Sequence, residues 1–225
     1  MDRKIIIPLD GMNKNLALKL AQELRDEVWG FKVNDLLVQE GLSIISELKR
    51  FGLVFADAKL HDIPNTVANG IKALSLAGAD LITVHASGGT KMLEAANQSA
   101  GSSKILAVTV LTSLSDVDCE YVFSRTASQT VQLLASMVAD SCIPGIVCSP
   151  KELEMLNLDE ATKKLFKVIP GIRPSWHGKS DDQQRTATPK EAIESGADLL
   201  VIGRPITHAD NPKEAAQRIN EELNS

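Results

Sequence analysis

Eight short apolar runs recur along the chain, each separated from the next by a segment with helical periodicity, and this alternation constrains the fold more than any other feature. The runs are Ile5–Leu9, Val28–Val33, Leu53–Ala58, Leu81–Val84, Ile105–Leu111, Ile143–Val147, Leu165–Ile169 and Leu199–Ile202. They are rich in Ile and Val and mostly lack polar alternation, as strands buried on both faces do. Between them, Leu16, Leu20 and Leu24 recur at four-residue spacing and predict core packing, as do Leu37, Gly41 and Ile45. Val67, Ile71, Leu74 and Ala77 hold one further helical face. Ala77-Gly-Ala-Asp80 and Ser195-Gly-Ala-Asp198 each read as a helix stopped by Gly before a strand. Pro64, Pro150 and Pro189 sit where first helical turns would begin. Eight β/α units in 225 residues predict an α/β fold, a single-domain (β/α)8 TIM barrel over residues 1–225. An open doubly wound sheet is the alternative, but the first run leads into Pro8-Leu-Asp-Gly11 and not into a glycine-rich dinucleotide turn.

Aromatic residues make up only 4% of the chain against 44% hydrophobic residues, so the core has to be built from aliphatic side chains. With 29 acidic and 24 basic residues the net charge is −5, which argues against nucleic acid as the main partner. A small anionic substrate stays compatible, because a few local cations outweigh a diffuse global charge. Cys119, Cys142 and Cys148 are odd in number and lack a Cys-x-x-Cys spacing, so they read as free thiols in a reducing compartment. The apolar run Ile5–Leu9 is too short for a signal-peptide core or a membrane span. A soluble, cytoplasmic protein is expected.

Charge gathers at predicted strand ends. The third run continues into Asp57, Lys59 and Asp62. Residues two apart on a strand project from one face, so Asp57 and Lys59 should point together into the barrel, where the carboxyl ends of strands carry active sites. Asp10 follows the first run and Lys32 lies in the second. In a closed barrel these ionisable groups of alternating sign would meet at one mouth. The plainer readings are a structural Asp/Lys salt bridge and helix capping by Asp62 or Asn65. Buried charge is costly unless paired, which favours chemistry at such a strand end. The loops after the seventh and eighth runs hold Gly171-Ile-Arg173 and Gly203-Arg204, the region where barrels often bind phosphate. Arg204 can give bidentate contacts, and Gly203 allows a close backbone approach. The polar stretch from Gly171 to Pro189 has the length of a lid.

The run Asp57-Ala-Lys-Leu-His-Asp-Ile-Pro-Asn-Thr66 resembles the signature of orotidine 5'-monophosphate decarboxylases. Similarity extends to Pro8-Leu-Asp10, Phe31-Lys-Val33, Thr83-Val-His-Ala-Ser-Gly-Gly89 and Val108-Thr-Val-Leu-Thr-Ser113. It continues through Pro170-Gly-Ile-Arg-Pro174, Asp182-Gln183 to Thr188-Pro189, and Val201-Ile-Gly-Arg-Pro-Ile-Thr207. Asn34 is a departure, since many family members have Gly after the Lys-Val that corresponds to Lys32-Val33. The resemblance implies a carboxy-lyase that needs no cofactor and no metal. Lys59 would donate a proton to C6 of the pyrimidine, Asp57 would sit beside the substrate carboxylate, and Lys32 with Lys59 would keep Asp57 ionised. Asp10 would bind the ribose hydroxyls, Thr112 or Ser113 the pyrimidine amide edge, with Thr112 favoured, and Gln183, Gly203 and Arg204 the phosphate. Asp62 and Thr66 would come from the second subunit of a homodimer.

His85 reads as a neutral, hydrogen-bonded histidine, and His61, His177 and His208 as loop residues without metal-site spacing. Two rivals stand against the decarboxylase. One is a Mg²⁺-dependent phosphosugar decarboxylase or aldolase, such as 3-keto-gulonate-phosphate decarboxylase or hexulose-phosphate synthase, which shares Asp-x-Lys-x-x-Asp but lacks the Pro-Asn-Thr continuation. The other is a non-catalytic phosphate-binding barrel.

Overall fold

A computed structural model describes residues 3–177 and 186–224. Eight strands form a closed barrel in sequence order: β1 (Ile5–Pro8), β2 (Gly30–Val33), β3 (Leu53–Leu60), β4 (Leu81–His85), β5 (Lys104–Val108), β6 (Gly145–Val147), β7 (Phe166–Ile169) and β8 (Leu199–Val201). Every neighbouring pair is parallel, and β8 closes onto β1 through Ile5–Leu200 and Ile6–Val201. The fold is the (β/α)8 barrel that the alternation of the sequence predicts, with one strand in each of the eight apolar runs.

Strand alternation sorts the apolar residues into two layers. Ile6, Phe55, Leu81, Leu106, Val168 and Leu199 fill the barrel interior, with Trp29, Val147 and Phe166 packed against them. The residues between, among them Ile5, Ile7, Val54, Ala56 and Ile82, face outward into the larger core beneath the helices. The interior is thus packed with side chains beneath the mouth, where the carboxyl ends of the strands lie.

The helices are α1 (Lys14–Leu24), α2 (Asp35–Glu40), α3 (Ser43–Leu48), α4 (Pro64–Leu76), α5 (Thr90–Gln98), α6 (Asp116–Phe123), α7 (Ala127–Asp140), α8 (Leu153–Leu158), α9 (Pro189–Glu194), α10 (Arg204–Thr207) and α11 (Pro212–Asn224). Pro64 and Pro189 open α4 and α9 as expected, whereas Pro150 opens a 3₁₀ turn over Pro150–Glu152. Gly78 and Gly196 follow α4 and α9 with φ of 102° and 95°, a region that disfavours any residue with a Cβ.

Two packing expectations need correction. Leu20 and Leu24 are buried but Leu16 is 52% exposed. Each four-residue step advances about 40° around a helix, so over the stripe Leu16 drifts away from the buried face of Ala17, Leu20, Ala21 and Leu24. Leu37, Gly41 and Ile45 do not share one helix either. Gly41 takes φ 67° and separates α2 from α3, its N–H donating to Leu37 O at 3.0 Å. The apolar spacing ran across a glycine stop.

Among the described residues no helix is long and apolar enough to cross a membrane. Cys119 and Cys148 are buried and Cys142 is exposed.

The junction of β2 and β3 has little tolerance. A Cβ on Gly30 would lie 2.1 Å from Leu53 O. Gly30→Ala is therefore expected to destabilise the protein by about 2–3 kcal/mol or more, as overpacking against backbone does, in urea denaturation.

Candidate active site

The parallel register accounts for the charges at the barrel mouth. Pro8 pairs with Lys32, and Lys32 pairs with Phe55, so these three residues lie at one level and face inward. Asp10 and Asp57 are two residues further along their chains, one inward-facing step closer to the mouth. The long Lys32 side chain reaches up between them. Its Nζ lies 2.8 Å from Asp10 Oδ2 and 3.3 Å from Asp57 Oδ2. Lys59 Nζ lies 2.6 Å from the same Asp57 oxygen. The result is a chain of alternating sign: Asp10, Lys32, Asp57, Lys59.

The alternation rule brings Asp57 and Lys59 to one side, but the strand that carries them is not regular. Pairing of β3 with β4 slips between Ala56 and Leu60, and Lys59 takes φ 47°. A left-handed backbone costs a residue with a Cβ roughly 1–2 kcal/mol, so something has to hold it. Thr83 of β4 does so from two sides, accepting from the Lys59 N–H at 2.9 Å and donating to Asp57 Oδ1 at 2.9 Å. Asn34 Nδ2 donates to the main-chain carbonyl of Asp57 at 2.7 Å.

Burial and pairing set the protonation states. Asp57 and Lys32 are 7% and 8% exposed. Burial by itself would push the Asp57 carboxyl up, yet Lys32, Lys59 and the Thr83 hydroxyl outweigh it and hold Asp57 below the ordinary carboxylate range. Burial works against the Lys32 charge, and Asp57 and Asp10 outweigh that too, so its ammonium is harder to deprotonate than a free lysine. His85, at the end of β4, is shifted down by burial and then by His61 and Lys59. It is neutral at pH 7, with its ring centroid 5.5 Å from that of His61.

A cavity of about 560 Å³ opens above these charges. Asp10, Lys32, Asp57 and Lys59 line it from the β1–β3 side, and Thr112, Gly203 and Arg204 from the β5–β8 side. Apolar walls come from Val108, Val110 and Val147. Seven of the ten candidate residues therefore border one space. Ser113 is exposed and absent from the lining, whereas Arg173 contributes to it. Asp62 and Thr66 are exposed and do not line the cavity of their own chain, and Asp62 Oδ1 instead accepts from the Ile63 N–H at 2.6 Å. Gln183 and the middle of the predicted lid, residues 178–185, lie outside the described residues. The two ends of that stretch meet, with Ile172 bridged to Ala187 and the Arg173 N–H donating to Ala187 O at 2.9 Å.

Sequence reasoning assigned no role to Thr83 and marked Asn34 only as a departure from the family pattern. Thr83 carried a signal: it is the polar residue at an inward-facing position of the otherwise apolar start of β4.

A model of the Orotidine 5'-phosphate decarboxylase / HUMPS family matches residues 3–219. The chain belongs to this family. Among its relatives, the orotidine 5'-phosphate decarboxylase of Paramagnetospirillum magneticum is 42% identical over 236 residues, covering 99% of both chains. The crystal structure of the orotidine 5'-phosphate decarboxylase from Lactobacillus acidophilus matches with a TM-score of 0.84 at 37% identity and full coverage of both chains. That of the orotidine 5'-phosphate decarboxylase from Pyrococcus horikoshii matches with a TM-score of 0.80 at 25% identity, covering 98% of this chain and 99% of the other.

For this member of the Orotidine 5'-phosphate decarboxylase / HUMPS family, the charge chain makes a specific pH prediction. A carboxyl held below its ordinary value of 3.8 stabilises the fold above that pH, and the contribution disappears as pH falls through the lowered value. The raised Lys32 contribution is lost only as pH climbs beyond 10.5. The stability difference between wild type and Asp57→Asn should stay level from about pH 5 to 9 and shrink below about pH 4, measured by urea denaturation across pH.

Proposed function

We propose that this chain decarboxylates orotidine 5'-monophosphate to UMP without a metal ion, as a step of de novo pyrimidine biosynthesis in the cytoplasm, and that residues 1–225 act as one catalytic domain. The observation that carries the reading is the alternating chain Asp10, Lys32, Asp57, Lys59 at the cavity mouth. It occurs in a chain 42% identical, over 99% of its length, to a relative named for that activity.

In this reading the bond between C6 and the carboxylate carbon breaks, carbon dioxide leaves, and the electron pair stays on C6. Lys59 gives its ammonium proton to C6, and solvent later restores it, so each turnover consumes one proton. Before transfer, the lysine charge attracts the carbanion as it develops. Asp57, kept ionised by Lys32 and Lys59, repels the substrate carboxylate. That repulsion fades as the carboxylate becomes neutral carbon dioxide, so it weighs on the bound substrate more than on the transition state.

The remaining candidates divide the rest of the nucleotide. Asp10 takes the ribose hydroxyls, Thr112 the pyrimidine amide edge, and Gly203, Arg204 and Gln183 the phosphate. Binding energy from the phosphate helps offset desolvation at the reacting carbon. Asp62 and Thr66 serve the site of a second subunit, which makes the enzyme a homodimer with two shared sites. Two observations support this. Both residues lie outside the cavity of their own chain, and Ile63 beside Asp62 is 67% exposed, an apolar surface that a subunit contact would cover. A metal-dependent phosphosugar reaction fits less well, because Asp10 and Asp57 both face Lys32 and a divalent cation would have to displace that lysine's charge.

The test is the loss of orotidine 5'-monophosphate absorbance with EDTA present. Wild type should convert it to UMP, and Lys59→Ala should lose at least about 10³-fold in kcat, more than a general acid alone supplies at the low end of its range. Arg204→Ala should mainly raise KM, by about tenfold to a hundredfold, as loss of a hydrogen bond to a charged group does. Turnover that needs Mg²⁺, or near-normal turnover by Lys59→Ala, would sink the reading.

Shared sites predict complementation. Lys59→Ala and Asp62→Ala proteins, each inactive, should regain activity when their subunits are exchanged. Half of random dimers are mixed and each mixed dimer holds one intact site, so roughly a quarter of the wild-type rate should return. No recovery after proven exchange would mean that Asp62 acts within its own chain or not at all.

A further inference from the structure

We infer that Asn34 and Asp35, the two residues that follow β2, are positioning residues that clasp the charge chain from both sides, Asn34 through Asp57 and Asp35 through Asp10. The kinetic consequence of this clasp rests on the decarboxylase reading; its geometry does not.

The backbone ladder stops just short of the residues that need placing. β2 and β3 pair as far as Val33 and Ala56, one residue before Asp57. β1 and β2 pair as far as Pro8 and Lys32, after which the Leu9 N–H still reaches Lys32 O at 3.0 Å. Beyond these points the strands diverge and side chains supply the next rungs. Asn34 Nδ2 donates to Asp57 O at 2.7 Å, and Asp35 Oδ2 accepts from the Gly11 N–H at 2.9 Å. The first rung holds the carbonyl at the start of the stretch in which register slips and Lys59 turns to φ 47°. The second holds the peptide directly after Asp10, at a glycine with φ 74°. Lys32, whose ammonium lies between Asp10 and Asp57, is on the strand that leads directly into both rungs.

Helix capping does not account for these contacts. Asn34 occupies the N-cap position of α2 but makes no side-chain cap bond. Asparagine is among the best N-cap residues, and here its amide is turned to another strand. The hydrogen-bond chemistry of the two positions also differs. Asn34 faces a carbonyl and must donate, which only the amide can do. Asp35 faces an N–H and must accept, which a carboxylate or an amide can do equally.

That difference gives a test that a merely structural role would not pass. Asn34→Asp keeps the size and the N-cap preference but sets a carboxylate against the Asp57 carbonyl. It should lower kcat about tenfold, within the range that small misplacements of catalytic groups produce, with KM for orotidine 5'-monophosphate within about twofold because the β5–β8 side is untouched. Asp35→Ala should raise KM about fivefold through Asp10 with kcat nearly kept, and Asp35→Asn should restore wild-type values. Asn34→Gly, which removes the rung without adding charge, replaces Asn34→Asp if that variant does not fold. A kcat for the Asn34 variant within twofold of wild type overturns the first half. An Asp35→Asn as impaired as Asp35→Ala, or an Asp35→Ala with unchanged KM, overturns the second. Should wild type fail to turn over orotidine 5'-monophosphate, the decarboxylase reading falls, and crystal structures decide the clasp. Lys59 Nζ displaced by more than about 1 Å from Asp57 in the Asn34 variant supports it, since productive geometry is lost on that scale, and an unmoved pair overturns it.

Discussion

A lysine ammonium at 8% exposure has to be neutralised where it stands, and Lys32 meets that requirement with two carboxylates at once. Taking one charge out of water without a partner costs several kcal/mol, so neither Lys32 nor Asp57 could hold its charge at this depth alone. Asp57 depends on Lys32 and Lys59 to stay ionised, and Lys32 depends on Asp57 and Asp10. The mouth behaves as one electrostatic unit, in which removing a member leaves its neighbour buried and unbalanced.

The barrel makes that unit possible by separating two functions along its axis. Below the mouth, Phe55, Leu106 and Val168 close the interior with apolar side chains and exclude water. One step further out the inward-facing positions turn polar: Asp57 follows Phe55 on β3, and Thr83 follows Leu81 on β4. The low-dielectric floor strengthens the interactions among the charges above it. The backbone strain at Lys59 belongs to the same arrangement, because Thr83 ties its N–H to the carboxylate that Lys59 itself contacts. In the proposed reaction, phosphate binding on the β5–β8 side then works across the cavity from the charges on the β1–β3 side.

Much of this was legible in the chain. The eight apolar runs located all eight strands, since burial on both faces leaves a continuous apolar stretch. Gly78, Gly196, Pro64 and Pro189 marked helix ends because each acts through its own φ or missing N–H. The Asp57/Lys59 pairing followed from strand alternation, and the structure delivers it despite the slipped register. The two packing failures share a cause, because apolar spacing only stands in for helix geometry. Leu16 leaves the buried face because four-residue spacing only approximates a helical turn, and Leu37 and Ile45 fall on separate helices because Gly41 breaks the spacing. Asp62 and Thr66 lie outside the space their own chain encloses, so neither this chain's sequence nor its fold alone brings them to a cavity.

What the sequence determined by itself was everything that depends on near neighbours: element type, the punctuation of helices, which face each charged residue would take, and the family signature. Only the tertiary structure decided which groups meet. The Lys32 bond to Asp10 spans 22 positions, Asn34 to the Asp57 carbonyl 23, Asp35 to Gly11 24, and Thr83 to Asp57 26. No local periodicity encodes contacts of that range. They exist because parallel strands about 4.8 Å apart bring residues from successive β/α units to one level, where a lysine can find two carboxylates and an asparagine can find the carbonyl that the backbone ladder leaves beyond its last rung.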